Sequence, residues 1–215
     1  MFMVEGVIST LIKIPVAGKR LEGELCIPAH SKALVIFAHG SGSSRFSERN
    51  IFVAEALQKQ QISTLLFDLL TQDEDRKYEH RFNIELLFER LVIATKYMQT
   101  IPACEGFQVG YFGASTGAAA AFFAAAKMPH LIKAMVSRGG RPDLAIAVAP
   151  KIKASTLLIV GERDEEVLRL NQKVISALHC EKSLQIVPSA THLFEEPGAL
   201  ARVSLLASEW FNKYL

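Results

Sequence analysis

The chain has little cysteine, no surplus of charge of either sign and no apolar run long enough to cross a bilayer, and each shortage removes a class of function. Cys26, Cys104 and Cys180 are the three cysteines among 215 residues, and none forms a CxxC pair. An odd, scattered set argues against a disulfide scaffold and against a structural zinc site. HExxH is missing, and no His/Cys/Asp cluster stands apart from the residues discussed below, so neither a metal nor another cofactor is expected. With 24 Lys and Arg against 22 Asp and Glu, the formal net charge is +2. That builds no broad basic field, which sets nucleic acid aside as a partner. Every apolar stretch is broken by charge or glycine before it reaches membrane-spanning length, so no membrane partner is expected either. The opening segment MFMVEGVISTLIKIPV has an early glutamate, no basic start and no small-residue cleavage pattern. No secretory leader is expected there, and a reducing cytoplasm is the default setting. Linkers, internal repeats and low-complexity segments are likewise missing. Half of the residues are apolar, so residues 1–215 read as one domain with a substantial core.

What is present is a regular alternation of two hydrophobic periods. ISTLIKIPV and LEGELCIP read as strands joined by a turn at Ala17 and Gly18, an N-terminal antiparallel hairpin. ALVIFA, ISTLLF, FQVGYF, LIKAMVS, STLLIV and SLQIVP are short, continuous apolar runs of the kind found in parallel strands buried on both faces. Between them lie helical patterns: FVAEALQKQ, NIELLFERLVIATKYM, the alanine run after Ser115, DEEVLRLNQKVISAL and GALARVSLLASEWFNKY. Strand-to-helix alternation of this type predicts an α/β fold, a mostly parallel sheet with helices on both faces. The charged stretch TQDEDRKYEHR reads as a solvated loop. Only a short link separates LIKAMVS from STLLIV, so no large lid is expected.

Ligands of open α/β sheets sit at the carboxyl ends of the strands. After ALVIFA comes His39-Gly40-Ser41-Gly42. After FQVGYF comes Gly113-Ala114-Ser115-Thr116-Gly117, a GxSxG motif. After STLLIV comes Gly161-Glu162-Arg163-Asp164, and after SLQIVP comes Ser189-Ala190-Thr191-His192. A serine, an acid and a histidine thus leave three strands at one sheet edge, in that order. A serine hydroxyl is a weak nucleophile at neutral pH unless a base takes its proton. Histidine titrates in the right range, and a carboxylate fixes its tautomer and orientation. The glycines flanking Ser115 suit a turn whose neighbours crowd it. The amides of Thr116, at the start of a helix, and of Ser41 are the expected donors to a developing oxyanion. Asp164 can equally cap the following helix, and Glu162 and Asp68 are rival acids. His39 reads as a residue that orders its loop by hydrogen bonding.

These motifs resemble the α/β-hydrolase superfamily. The small size and phrases such as GYFGASTGAAAA, SRGGRPDLA and THLFEEPGAL resemble its dienelactone-hydrolase-like branch, including a bacterial group sometimes fused to a phosphoribosyltransferase domain. The resemblance runs over nearly the whole chain, and no second domain fits within it. It implies Ser115 as nucleophile, Asp164 as acid and His192 as base. Dienelactone hydrolases proper carry cysteine where this chain has Ser115, which makes a general ester or lactone of a small molecule the expected substrate.

Two rival classes remain at this point. Gly40, Gly42 and Asp68 echo a dinucleotide-binding unit, but Arg45 stands where its third glycine belongs, and that reading leaves Asp164 and His192 without a role. An inactive interaction module on the same scaffold is the other. Arg45, Arg138 and Arg141, with Arg49 nearby, pose a separate choice. They either bind a substrate anion or pair with acidic residues such as Asp143.

Overall fold

Apolar runs that are buried from end to end form the middle of a nine-stranded sheet. The computed structural model describes residues 3–4 and 7–215. Of the opening segment, on which the leader expectation rests in part, residues 1, 2, 5 and 6 lie outside that description. The strands are β1 (Met3–Val4), β2 (Val7–Val16), β3 (Lys19–Pro28), β4 (Ala33–Ala38), β5 (Ser63–Phe67), β6 (Gln108–Ala114), β7 (Ile132–Arg138), β8 (Ser155–Gly161) and β9 (Lys182–Val187). The helices are α1 (Glu48–Lys59), α2 (Gln72–Asp75), α3 (Ile84–Met98), α4 (Thr116–Lys127), α5 (Glu165–Ala177) and α6 (Ala199–Tyr214).

The strand order is β1-β2-β3-β5-β4-β6-β7-β8-β9. β2 and β3 pair antiparallel along their whole length, from Val7 opposite Pro28 to Val16 opposite Lys19. The turn between them places both Ala17 and Gly18 at positive φ, 41° and 76°, which matches the twist of a tight hairpin. β3 also runs antiparallel to β5, and from β5 to β9 all pairings are parallel. This is the α/β-hydrolase arrangement. The edge strand β1 was not anticipated from the sequence.

Because side chains alternate across a strand, each central strand feeds two cores. Leu34 and Ile36 of β4 join the core covered by α3, α4 and α5, where Leu91, Phe122 and Val174 are buried. Val35 and Phe37 join the opposite core, where Val53 and Leu57 of α1 meet Val203 and Phe211 of α6. The alanines at 118–121 are buried with hardly any exposed surface. Their small side chains let α4 lie close against the sheet directly behind the GxSxG turn.

Two connections bear on the site. The stretch read as a solvated loop is largely structured. Thr71 and Glu74 form a reciprocal capping box that opens α2, and a 3-10 turn follows at Tyr78–Phe82. The reason is local: a Thr-x-x-Glu spacing satisfies two helix-start amides at once. Glu74 is then tied down by Arg90 at 2.7 Å. The link from β7 to β8 is a pair of short 3-10 turns over Pro142–Lys151, with Ala145 and Ala149 fully buried. It inserts no large lid.

Candidate active site

Ser115 sits between the last residue of β6 and the first of α4, at φ 50° and ψ −124°. That is an unfavourable conformation for a residue with a side chain and costs on the order of 1–3 kcal/mol. The surroundings over-determine it. The Ser115 N–H donates to the Arg138 carbonyl at 3.3 Å, and the Ser115 carbonyl accepts from the Arg141 N–H at 3.0 Å. The chain from β7 into the next link thus clamps the serine backbone from both sides. The flanking glycines are required by close approach. A Cβ on Gly117 would lie 2.1 Å from the Ala38 carbonyl oxygen, and one on Gly113 would lie 2.6 Å from the Cα of Ala118.

Asp164 and His192 arrive from two other strand ends. Nδ1 of His192 lies 2.6 Å from Oδ2 of Asp164. A carboxylate only accepts, so Nδ1 carries the proton of this bond, which leaves Nε2 as the basic nitrogen of the neutral ring. Asp164 occupies the N-cap position of α5, yet its side chain makes no capping bond there. The two rival acids are engaged elsewhere. Glu162 accepts from the Ser189 N–H at 2.7 Å, and Asp68 accepts from the backbone N–H and the guanidinium of Arg45. Gly161 lets the acid and histidine loops touch, since a Cβ there would lie 2.4 Å from the Ala190 carbonyl oxygen.

The turn after β4 is braced by His39. Its Nε2 accepts from the Leu69 N–H at 3.0 Å, and Nδ1 therefore donates to the Gly40 carbonyl, also at 3.0 Å. Burial holds the His39 pKa below its ordinary 6.5. The neutral ring, saturated by backbone partners, orders the loop. Ser41 then meets Thr116: the Ser41 N–H donates to the Thr116 hydroxyl at 2.9 Å. The two residues expected to supply oxyanion donors are therefore adjacent, with one amide resting on the other residue's side chain. The Thr116 amide heads α4, where a helix leaves its first N–H groups without intrahelical partners.

Ser115 and His192 line one cleft of about 280 Å³, together with Gly40, Ser41, Arg49 and Arg138. A neighbouring cavity of about 180 Å³ lies beyond the turn, beside His39, Arg45, Phe46 and Asp68, and contains neither Ser115 nor His192. The four arginines separate. Arg45 is bound by Asp68 and by Glu22, the latter at 2.6 Å. Arg141 makes a two-pronged pair with Asp143 at 2.9 and 3.0 Å. Arg49 reaches exposed Glu195 at 3.3 Å. Arg138 is 7 % exposed, and among the described residues its guanidinium donates one hydrogen bond, to the amide oxygen of Asn50 at 3.4 Å.

Several contributors escaped the sequence reading: Asn50, the backbone clamp on Ser115, and Gly139, whose Cβ would lie 3.5 Å from the His192 ring. The paired glycines of SRGGR were the available signal for a turn pressed against the site. Among the described residues, no group of three or more His, Cys, Asp or Glu is placed to hold a metal ion, and no helix is long and apolar enough to cross a membrane.

Comparison with known proteins bears on the family and the fold. The family model described as the dienelactone hydrolase family matches residues 43–213. A dienelactone hydrolase from Anabaena variabilis superposes with a TM-score of 0.95 at 50 % identity, covering 98 % of this chain and 100 % of that one. Est1E from Butyrivibrio proteoclasticus shares the fold, with a TM-score of 0.83 at 16 % identity, over 94 % of this chain and 98 % of the other. Two Mycobacterium tuberculosis proteins described as phosphoribosyl transferases are 50 % identical over 202 residues. That alignment takes in 94 % of this chain and 44 % of each relative, so the chain spans less than half the length of these curated relatives.

Proposed function

The chain belongs to the dienelactone hydrolase family, and from that premise we propose that it cleaves carboxylic esters or lactones of small molecules through a serine acyl-enzyme. The observation that carries the reading is the 2.6 Å Asp164–His192 bond at a cleft shared with Ser115, whose backbone is held at positive φ.

In this reading Nε2 of His192 takes the proton of Ser115 as Oγ attacks the substrate carbonyl. Asp164 keeps the imidazole in the required tautomer and stabilises the imidazolium. The Thr116 amide supports the oxyanion. The Ser41 amide is its second donor, held in place by the Thr116 hydroxyl and shared between that hydroxyl and the oxyanion. His192 returns its proton to the leaving alkoxide, which in a lactone stays attached to the acyl group. A water molecule, deprotonated by His192, then attacks the acyl carbon and releases the acid and free Ser115. A hydroxyl needs this base more than a thiol would, because a thiol is already partly ionised near neutral pH. Apart from that water, the steps use side chains and backbone amides of the chain. Its thiols at Cys26, Cys104 and Cys180 are all free, which fits a reducing, cytoplasmic setting.

The deciding experiment is labelling with a fluorophosphonate, mapping of the adduct by mass spectrometry, and turnover of an ester and lactone panel. The expected result is a single adduct on Ser115 and turnover of at least one class. An unlabelled Ser115 with no turnover would leave an inactive scaffold as the better reading.

A further inference from the structure

Asn171 of α5 carries a fully buried side-chain amide, 0 % exposed, about two helical turns beyond Asp164. Its Nδ2 donates two hydrogen bonds, to the Gly140 carbonyl at 3.0 Å and to the Val167 carbonyl at 2.8 Å. Both partners only accept, which fixes the amide with its NH2 group toward them. The first bond reaches the nucleophile through a single peptide group. The Gly140 carbonyl and the Arg141 N–H belong to one planar unit, and in a trans peptide they point in opposite directions. That N–H donates to the Ser115 carbonyl at 3.0 Å, so holding the carbonyl aims the N–H. Close neighbours confine the unit further. A Cβ on Gly140 would lie 1.9 Å from Oγ of Ser137 and 2.6 Å from Cβ of Ala118. The preceding Gly139 N–H donates to the Ile159 carbonyl at 2.8 Å. Oδ1 of Asn171 is buried without a partner among the described residues, which is unfavourable. An apolar side chain of the same size would fill the space without that penalty, so the donated bonds are what distinguishes an amide here.

We infer that Asn171 is a positioning residue for the nucleophile: it holds the Gly140–Arg141 peptide that clamps Ser115, and so ties the serine turn to the helix that starts at the acid. This deepens the hydrolase reading and rests on it for the effect on rate. A residue with a side chain keeps a positive φ such as the 50° of Ser115 only where its surroundings over-determine it. Of the two backbone clamps on Ser115, one comes from the Arg138 carbonyl, at the end of β7 and inside the sheet. The other comes from Arg141, in the link beyond the sheet, and the Asn171 amide is its support from α5. Asp164 is the N-cap of that same helix. Asn171 does not line the cleft shared by Ser115 and His192, so it acts on the chemistry through the backbone of Ser115.

The test uses Asn171→Asp, which keeps the shape and removes the amide protons, and Asn171→Leu, which keeps the size and removes the polarity. Val174→Ala, a truncation of a fully buried core residue on the same helix, controls for lost stability. The readout is the second-order rate constant and the end point of fluorophosphonate labelling at Ser115, at a temperature where every variant is folded. Both Asn171 variants should reach the wild-type end point about 10- to 100-fold more slowly, the effect of a misplaced reacting group. Their kcat/KM on a 4-nitrophenyl ester should fall in proportion. Val174→Ala should label at the wild-type rate. The pH midpoint of labelling, set by His192 against Asp164, should stay at its wild-type value. Hydrogen exchange at the Arg141 amide reads the clamp without chemistry, and should be about tenfold faster in the Asn171 variants than in Val174→Ala. If wild type neither labels nor turns over an ester while that exchange still quickens, the hydrolase reading fails and the clamp stands. Wild-type labelling rates in the folded Asn171 variants, or an Arg141 amide that exchanges as in Val174→Ala, overturn the proposal. So does an equal slowing in Val174→Ala, or a shifted pH midpoint, which would place the effect on the acid. If neither Asn171 variant folds, Asn171→Ser, whose hydroxyl can meet Val167 but is too short for Gly140, is judged by the same criteria.

Discussion

The backbone N–H of Ser41 donates to the side-chain hydroxyl of Thr116 across 2.9 Å and 75 residues of sequence. This bond ties the turn after β4 to the start of α4, the two segments that must hold their amides still if they are to support an oxyanion. Thr116 is 7 % exposed, so water does not easily replace its hydroxyl. Thr116→Val keeps the volume and removes the acceptor. It should lower stability by about 1 kcal/mol and lower kcat by roughly tenfold or more through a loosened donor pair. Thr116→Ser should restore most of both. Thermal unfolding and steady-state kinetics of the two variants check this, and wild-type values for Thr116→Val would show that the bond positions nothing.

Ser115 pays in backbone strain for its placement, and two substitutions separate strain from chemistry. Ser115→Ala keeps the strain and should change stability by no more than about 0.5 kcal/mol while abolishing fluorophosphonate labelling. Ser115→Gly relieves the positive φ, and should be more stable than Ser115→Ala by about 1 kcal/mol after the greater flexibility of unfolded glycine is subtracted. Denaturant unfolding of both variants measures the difference. A large loss of stability in Ser115→Ala would mean that the hydroxyl is structural.

Asp164→Asn should reduce kcat/KM by about 10³- to 10⁴-fold with the fold retained, because an amide permits the wrong imidazole tautomer and does not stabilise the imidazolium. Circular dichroism and turnover of a 4-nitrophenyl ester are sufficient measurements. Near-normal kcat/KM would hand the acid role to Glu162 or Asp68 despite their present partners.

His39 predicts an acid-sensitive fold. Burial lowers its pKa below 6.5 in the native protein. Below pH 6.5 the unfolded chain therefore binds a proton that the native chain resists. The stabilisation is complete above the unfolded value and is lost as pH falls through the native one, with a slope of up to about 1.4 kcal/mol per pH unit. His39→Gln can still donate to Gly40 and accept from Leu69 without titrating. Its stability should fall less steeply than wild type between pH 6.5 and 5. Parallel slopes in urea titrations at several pH values would remove His39 as the origin.

The alternation of strand and helix was legible because it is written in neighbouring residues. Runs such as Leu34–Phe37 bury both faces, and the spacing of apolar residues in Ile84–Met98 is helical whatever lies elsewhere. The strand-end positions of Ser115, Asp164 and His192 followed from that alternation, and the glycines at 113 and 117 follow from steric demands of the turn itself. The capping box at Thr71 and Glu74 was just as local, but the density of charge around it suggested solvent instead. Other features depended on contacts between distant parts of the chain. Asp164, Glu162 and Asp68 are chemically alike, and only the loop packing through Gly161 sets Asp164 against an imidazole 28 residues away. The arginines are alike too. Asp143, two residues from Arg141, was already in view in the sequence, whereas tertiary structure gave Asp68 and Glu22 to Arg45 and placed Arg138 beside Asn50, 88 residues distant, with no carboxylate paired to it among the described residues. Local sequence specifies backbone period and turn sterics. The partner of a charged or polar side chain is set through space, by whichever groups the packed sheet and helices bring within a few ångströms.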